Sequence, residues 1–228
     1  RTTLHMEGAY CAVYLDPRPE TAGRLLESLE PVDLPGTMRF IARSVRGELE
    51  LTRGNVRTAA LIQRVSLRYA GNWRSILGSG SQWELYILSM CLVTDVELSP
   101  DDAVELDARA VRARATSLLR EILSDPAPLQ RDIPTLMAFA AAVGLSAVAA
   151  EDAGSDRRAV GGELVATALA VGTNQTCRLL SHDYLRSRTE RLDARALAQA
   201  EERIRSLDRG GLVAHAADLA GRLAGEVG

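Results

Sequence analysis

Apolar side chains recur every three to four residues along most of this chain, and in its second half the recurrence is regular enough to define helices. Val104, Ala108, Val111, Ala115, Leu118, Leu119 and Ile122 follow the helical period behind Ser99-Pro100-Asp101-Asp102. There a hydroxyl can cap free backbone N–H groups, proline fits the first helical position, and two acids meet the positive end of the helix dipole. The pattern predicts an amphipathic helix over about 100–124, ended by Asp125-Pro126-Ala127-Pro128. Asp132 and Pro134 open the next helix, and no residue from Ile133 to Ala150 is charged. That run is too short and too rich in Ala, Gly and Ser for a membrane span, which needs about 20 strongly apolar residues. It is read as a helix buried on all sides, about which the others pack. A further helical region over 158–188, bent near Gly172-Thr173-Asn174, precedes a stripe of Leu197, Ala200, Ile204 and Leu207 that Asp193 caps. Gly210-Gly211 separates this stripe from a last helix carrying Val213, Ala216, Leu219, Ala220, Leu223 and Val227.

The first hundred residues support two readings. Met38, Ile41, Ala42, Val45 and Leu49 fit one helix, and Thr58, Leu61, Ile62, Val65 and Tyr69 another, with Asn55 as its cap. The rival is β: Glu48-Leu-Glu-Leu51 and Val65-Ser-Leu-Arg-Tyr69 also alternate, and Arg53-Gly54-Asn55 suits a hairpin turn. The helical template matches more positions in each segment and is preferred. Trp83, Tyr86, Ile87, Met90, Cys91 and Val93 mark an apolar, buried element. The expected fold class is mainly α, a multi-helix bundle around the buried segment at about 133–150, with a less regular N-terminal subdomain over 1–98 holding at most a little β and a helical bundle over 99–228, the two forming one compact unit.

Composition sharpens this only modestly. With 228 residues, 46% of them hydrophobic and 25% charged, the chain is long enough for a sizeable core and excludes collagen-like, disulfide-miniprotein and wholly disordered classes. All 27 basic residues are arginine, which matches the codon bias of a GC-rich genome and fixes the positive charges at every accessible pH. A net charge of −3 argues against wholesale coating of nucleic acid. Cys11, Cys91 and Cys177 are isolated in apolar text, as expected for free thiols in a reducing, cytoplasmic compartment. The sequence begins at Arg1 without a signal-peptide profile, which reads as a trimmed or processed chain.

Candidate chemistry is sparse, because the chain has only three histidines, His5, His182 and His215. Arg178-Leu-Leu-Ser-His182-Asp183 is the most polar cluster beside a helix, and a histidine next to an aspartate can act as a general base. Its Leu180-Ser-His-Asp183 text resembles the phospho-acceptor box of sensor histidine kinases, which would make His182 a phosphate carrier. The expected following proline is missing, and the residues themselves read as a solvated helix face. Arg209 and His215, six apart, resemble the arginine–histidine spacing of HEPN-type helical ribonucleases. That resemblance implies an arginine holding the scissile phosphate and a histidine moving a proton; Gly210-Gly211 between them reads more simply as a helix break. Asp101, Asp102 and Glu105 are accounted for by the helix start. Trp73, between Asn72 and Arg74, is the aromatic expected to be exposed for contact. The arginines from 178 to 209 are interleaved with Glu190, Asp193, Glu201, Glu202 and Asp208, which suits a solvated or subunit-pairing face better than a phosphate groove.

No phosphate-binding loop, dinucleotide fingerprint, zinc-protease motif or nucleophile elbow is present, so no cofactor or metal is expected. The favoured function is a non-enzymatic scaffold, adaptor or assembly protein acting through protein–protein contacts, self-association included, away from membranes. The alternatives are a nucleic-acid-binding helical protein using its arginines and a HEPN-like ribonuclease.

Overall fold

In a computed structural model of the chain, the residues described are 18–29, 34, 36–77, 82–124, 132–150, 153–173 and 178–225, with 5, 8, 9, 12 and 13. Sequence signals account for most helix boundaries among them. Pro19 opens α1 (Pro19–Glu27). An αα-hairpin follows, α2 (Gly36–Thr52) and α3 (Val56–Leu77), turned at Gly54 with φ +82°, a left-handed value that glycine tolerates without strain. The helical reading of this region therefore holds, and the β alternative does not. Helix α4 (Gln82–Asp95) is buried from Ile87 to Thr94. In α5 (Pro100–Glu105), Ser99 caps through its hydroxyl, which accepts from Asp102 N at 3.2 Å.

The single helix expected over 100–124 is divided. Asp107 adopts φ +53° after α5, and its carboxylate accepts from Ala110 N at 3.2 Å, so it ends one helix and caps the next, α6 (Ala108–Ser124). A short polar side chain that bonds locally is among the few able to take this conformation. In α7 (Ile133–Ala149), Asp132 caps by accepting from Thr135 N, and every residue from Leu136 to Val148 is buried. α8 (Ser155–Val171) stops at Gly172, φ +112°. A 3-10 turn (Arg178–Leu180) then leads into α9 (His182–Ile204), capped by the Ser181 hydroxyl. Within α9, Asp193 leaves the helical conformation and accepts from Ala196 N at 2.9 Å, restarting the helix as its sequence suggested. In α10 (Arg209–Gly225), Asp208 caps by accepting from Gly211 N at 2.7 Å. The double glycine thus forms the first turn of α10, and the break lies just before it.

These ten helices make a multi-helix bundle, and the described residues contain no strand. Helix α7 packs against α4, α6, α8 and α9, while α10 lies on α8 and α6. A single apolar cluster runs from Leu67 of α3 to Leu223 of α10, with Phe139, Met137, Leu119, Leu164 and Leu185 among its fully buried members. A smaller cluster joins the helical positions Ala9, Ala12 and Val13 to Ala22, Leu26, Val45 and Leu49. Helices α7 and α8 cross closely at Gly144 and Gly161: a Cβ added at Gly144 would lie 2.6 Å from the Gly161 carbonyl oxygen. No helix among the described residues is long and apolar enough to cross a membrane.

Candidate functional site

Helix α2 places Arg39, Ala42, Arg43 and Arg46 along one side, because three, four and seven residues return to the same face of a helix. Across from them α3 presents Leu61, Ile62 and Val65, while Leu26 of α1 and Leu29 of the turn after it close the end. With Leu34, these residues enclose a groove of about 550 Å³, apolar in its floor and α3 wall and arginine-bearing on its α2 wall. Leu61 and Val65 are 45% and 36% exposed, unusual for large aliphatic side chains sharing one face of a helix. Arg39 donates to the Leu34 carbonyl at 3.1 Å.

This charge belongs to a longer pattern. Between Gly36 and Gln82 the sequence holds eight arginines against two glutamates, in a chain of net charge −3. Both glutamates are buried: Glu48 accepts from the Tyr86 hydroxyl at 2.6 Å, and Glu50 accepts from Arg53 and Asn55. On α3, Arg57 reaches Asp102 and Glu105, and Arg64 bridges Asp95 and the Leu106 carbonyl, so these two arginines join α3 to its neighbours.

A second cavity, of about 500 Å³, lies between the ends of α4 and α7, with α5 and α6 as its other walls. Its buried acid is Asp95, whose carboxyl is pushed up to about 6 by burial, with Arg64 pulling the other way. Arg109, Arg112 and Asp107 also line it.

The histidines sit in different surroundings. His215 of α10 shares a 2.8 Å hydrogen bond with the carboxylate of Glu163 on α8, whose other oxygen accepts from Arg203 of α9 at 2.7 Å. Burial pushes the Glu163 carboxyl up, but the hydrogen bonds and charges of Arg203 and His215 outweigh it and leave the group lowered. Arg209, which the ribonuclease resemblance would require to face one cleft with His215, is exposed at the start of α10. Six residues turn a helix through about 600°, leaving the two side chains roughly 120° apart on the same rod. The arginine gathered with His215 is instead Arg203, across Glu163. His182 lies in the first turn of α9, its Nδ1 3.7 Å from the carboxylate of a fully exposed Asp183, beyond hydrogen-bond reach. The side chains of Arg178 and Trp73, and residues Cys11 and Cys177, lie outside the described residues. Among the described residues no group of three or more His, Cys, Asp or Glu side chains could hold a metal ion.

Sequence reasoning missed the groove and Glu163. The second had a legible signal: Glu163 is the lone charge in the apolar run from Ala159 to Val171, and a buried acid requires partners. The groove had a weaker one, the local excess of arginine over residues 36–82, diluted when charge is summed over the whole chain. Comparison with family models, with curated proteins and with solved structures found no match to this chain.

Proposed function

We propose that this chain is a non-enzymatic helical adaptor or assembly protein, acting by protein–protein contact through the groove between α1, α2 and α3. The observation that carries the reading is the exposure of Leu61 and Val65 on the aliphatic side of a groove of about 550 Å³. Aliphatic side chains left in contact with water at a concave surface gain free energy, about 25 cal/mol per Å², when a partner covers them. The polar clusters favour a structural role: His215, Glu163 and Arg203 satisfy one another across three helices, and His182 and Asp183 do not reach hydrogen-bonding distance.

The test is covalent capture in the native host. A photo-reactive phenylalanine analogue at position 61, and another at exposed position 209 as control, are irradiated in cells and the adducts identified by mass spectrometry. Protein adducts at 61 but not at 209, whether with another copy or a different chain, are expected. Absence of any protein adduct at 61 overturns the reading.

A further inference from the structure

Away from the groove, one wall of the second cavity is weakly held. That wall is α5 with its flanks, and no residue from 98 to 106 is buried. Val104 lines the cavity yet is 82% exposed. A helix of six residues does not stand on its own hydrogen bonds in water, because fixing its first turn costs more than one bond returns. Among the described residues, the side-chain bonds that join this stretch to another helix all come from α3. Arg57 donates to the Asp102 and Glu105 carboxylates, and Arg64 Nε donates to the Leu106 carbonyl at 2.7 Å. We infer that α5 is a lid on this cavity, latched by Arg57 and Arg64, and that it swings away as a unit to admit solutes between α4, α6 and α7. This site is separate from the groove proposed above as the contact surface.

The two ends of the stretch set where it pivots. On one side Glu97 is anchored to α9: it accepts from the Tyr184 hydroxyl at 3.1 Å and pairs with Arg188. On the other, Asp107 takes a left-handed conformation, φ +53°, and caps α6 through its own carboxylate, which accepts from Ala110 N. The start of α6 therefore does not depend on α5, and moving residues 98–106 leaves it in place. Ser99 belongs to the moving part, since its hydroxyl accepts from Asp102 N and donates to the Asp102 carboxylate. The latch itself is exposed: Arg57 and Glu105 keep 44% and 64% of their side-chain surface in water. Ion pairs so placed contribute little and weaken as salt screens them. The walls behind differ. Leu92 and Ser146 are buried, and Arg64 also pairs with Asp95 at 2.9 Å, both side chains largely covered, so Arg64 is a post fixed to the bundle. Opening α5 therefore costs far less than unfolding the bundle, whose α7 is buried throughout its middle.

The experiment uses the full chain and two measurements. Amide hydrogen exchange, read by mass spectrometry, follows residues 102–106, where Ala103 N and Leu106 N bond within the lid to the Ser99 and Asp102 carbonyls. These amides are expected to exchange at least about tenfold faster than those of α4, α6 and α7. Arg57→Gln, and separately salt raised to about 1 M, should each speed them by about threefold more while the other three helices keep their rates. Arg205→Gln, which breaks an equally exposed pair with Glu202, is the control and should leave α5 unchanged. The second measurement places a thiol on the far wall with Ser146→Cys, a buried position that lines the cavity, and follows its alkylation by N-ethylmaleimide through peptide mapping. Addition of Arg57→Gln should speed that alkylation by about threefold. Lid amides that exchange no faster than those of α7, or rates that Arg57→Gln leaves unchanged, overturn the inference. So does acceleration that spreads equally through α6, or alkylation at position 146 as fast as in the urea-unfolded chain, which would mean a cavity already open. Should Ser146→Cys fail to fold, the exchange rates of the unsubstituted chain and of Arg57→Gln decide by themselves.

Discussion

Gly144→Ala should destabilise the protein even though alanine is the better helix former. In an unobstructed helix interior the change favours folding by about 1 kcal/mol. At Gly144 the new methyl group would lie 2.6 Å from the Gly161 carbonyl oxygen and 2.9 Å from Val165 Cγ2, where ordinary contact begins near 3.4 Å. The obstructing oxygen is backbone and cannot rotate aside, so α7 and α8 must part by about 0.8 Å at their crossing. A gap of that size forfeits about a quarter to a half of each dispersion contact it opens. Overpacking of this kind costs about 1–3 kcal/mol, and on a rigid backbone crossing the upper end applies, leaving a net loss of about 2 kcal/mol after the propensity gain. Gly221→Ala is the matched control: it lies inside α10 with nothing within 4 Å of the added Cβ, and should gain about 0.5–1 kcal/mol. Urea unfolding followed by far-ultraviolet circular dichroism measures both. If Gly144→Ala proves as stable as Gly221→Ala, the close crossing is not what holds α7 to α8.

Three further outcomes follow from the buried polar groups. Glu163→Gln removes the charge shared by Arg203 and His215 and should cost about 1–2 kcal/mol at neutral pH. The wild-type carboxyl is held below its ordinary value, so its stabilisation is full above about pH 4.3 and lost as pH falls through the lowered value; wild type and variant should converge in acid, and parallel unfolding curves would count against the cluster. Asp95 has the opposite sign. Its carboxyl, raised from 3.8 to about 6, binds more protons folded than unfolded, so wild-type stability should fall by up to about 3 kcal/mol between pH 4 and 6. Asp95→Asn should abolish that slope, as urea titrations across the range will show. Cys91 is fully buried, and burial pushes its thiol up to about 12, so alkylation there should await unfolding of the native protein. Peptide mapping after timed labelling checks this, and rapid modification of folded protein would contradict it.

Local signals carried the helices because their causes are local. Ser99 and Asp132 cap through their own side chains, and each is legible as an oxygen-bearing residue ahead of an apolar stripe; Ser181 caps in the same way but lies inside the region 158–188 read as one bent helix, because a polar stretch follows it. The absence of charge from Ile133 to Ala150 foretold burial, since no position there prefers water enough to demand a solvent face. The division of α5 from α6 escaped the periodicity because both helices keep the apolar rhythm through Asp107, and only its backbone angle separates them. Choosing between helix and strand for residues 37–69 by period was narrow, and Gly54 at the hairpin turn served either.

What the sequence determined by itself is therefore the class of fold, the placement of most helix starts, and the segment withheld from water, all of which depend on neighbours a few residues apart. What the tertiary structure decided is which distant groups meet. It brings His215 to Glu163, 52 residues away, rather than to Arg209 on its own helix, and sets the arginines of α2 opposite the aliphatic row of α3. A charge sum or a spacing along one chain carries no record of which faces of two helices turn toward each other. That is fixed by side-chain packing, and here it decides where the groove lies and what lines it.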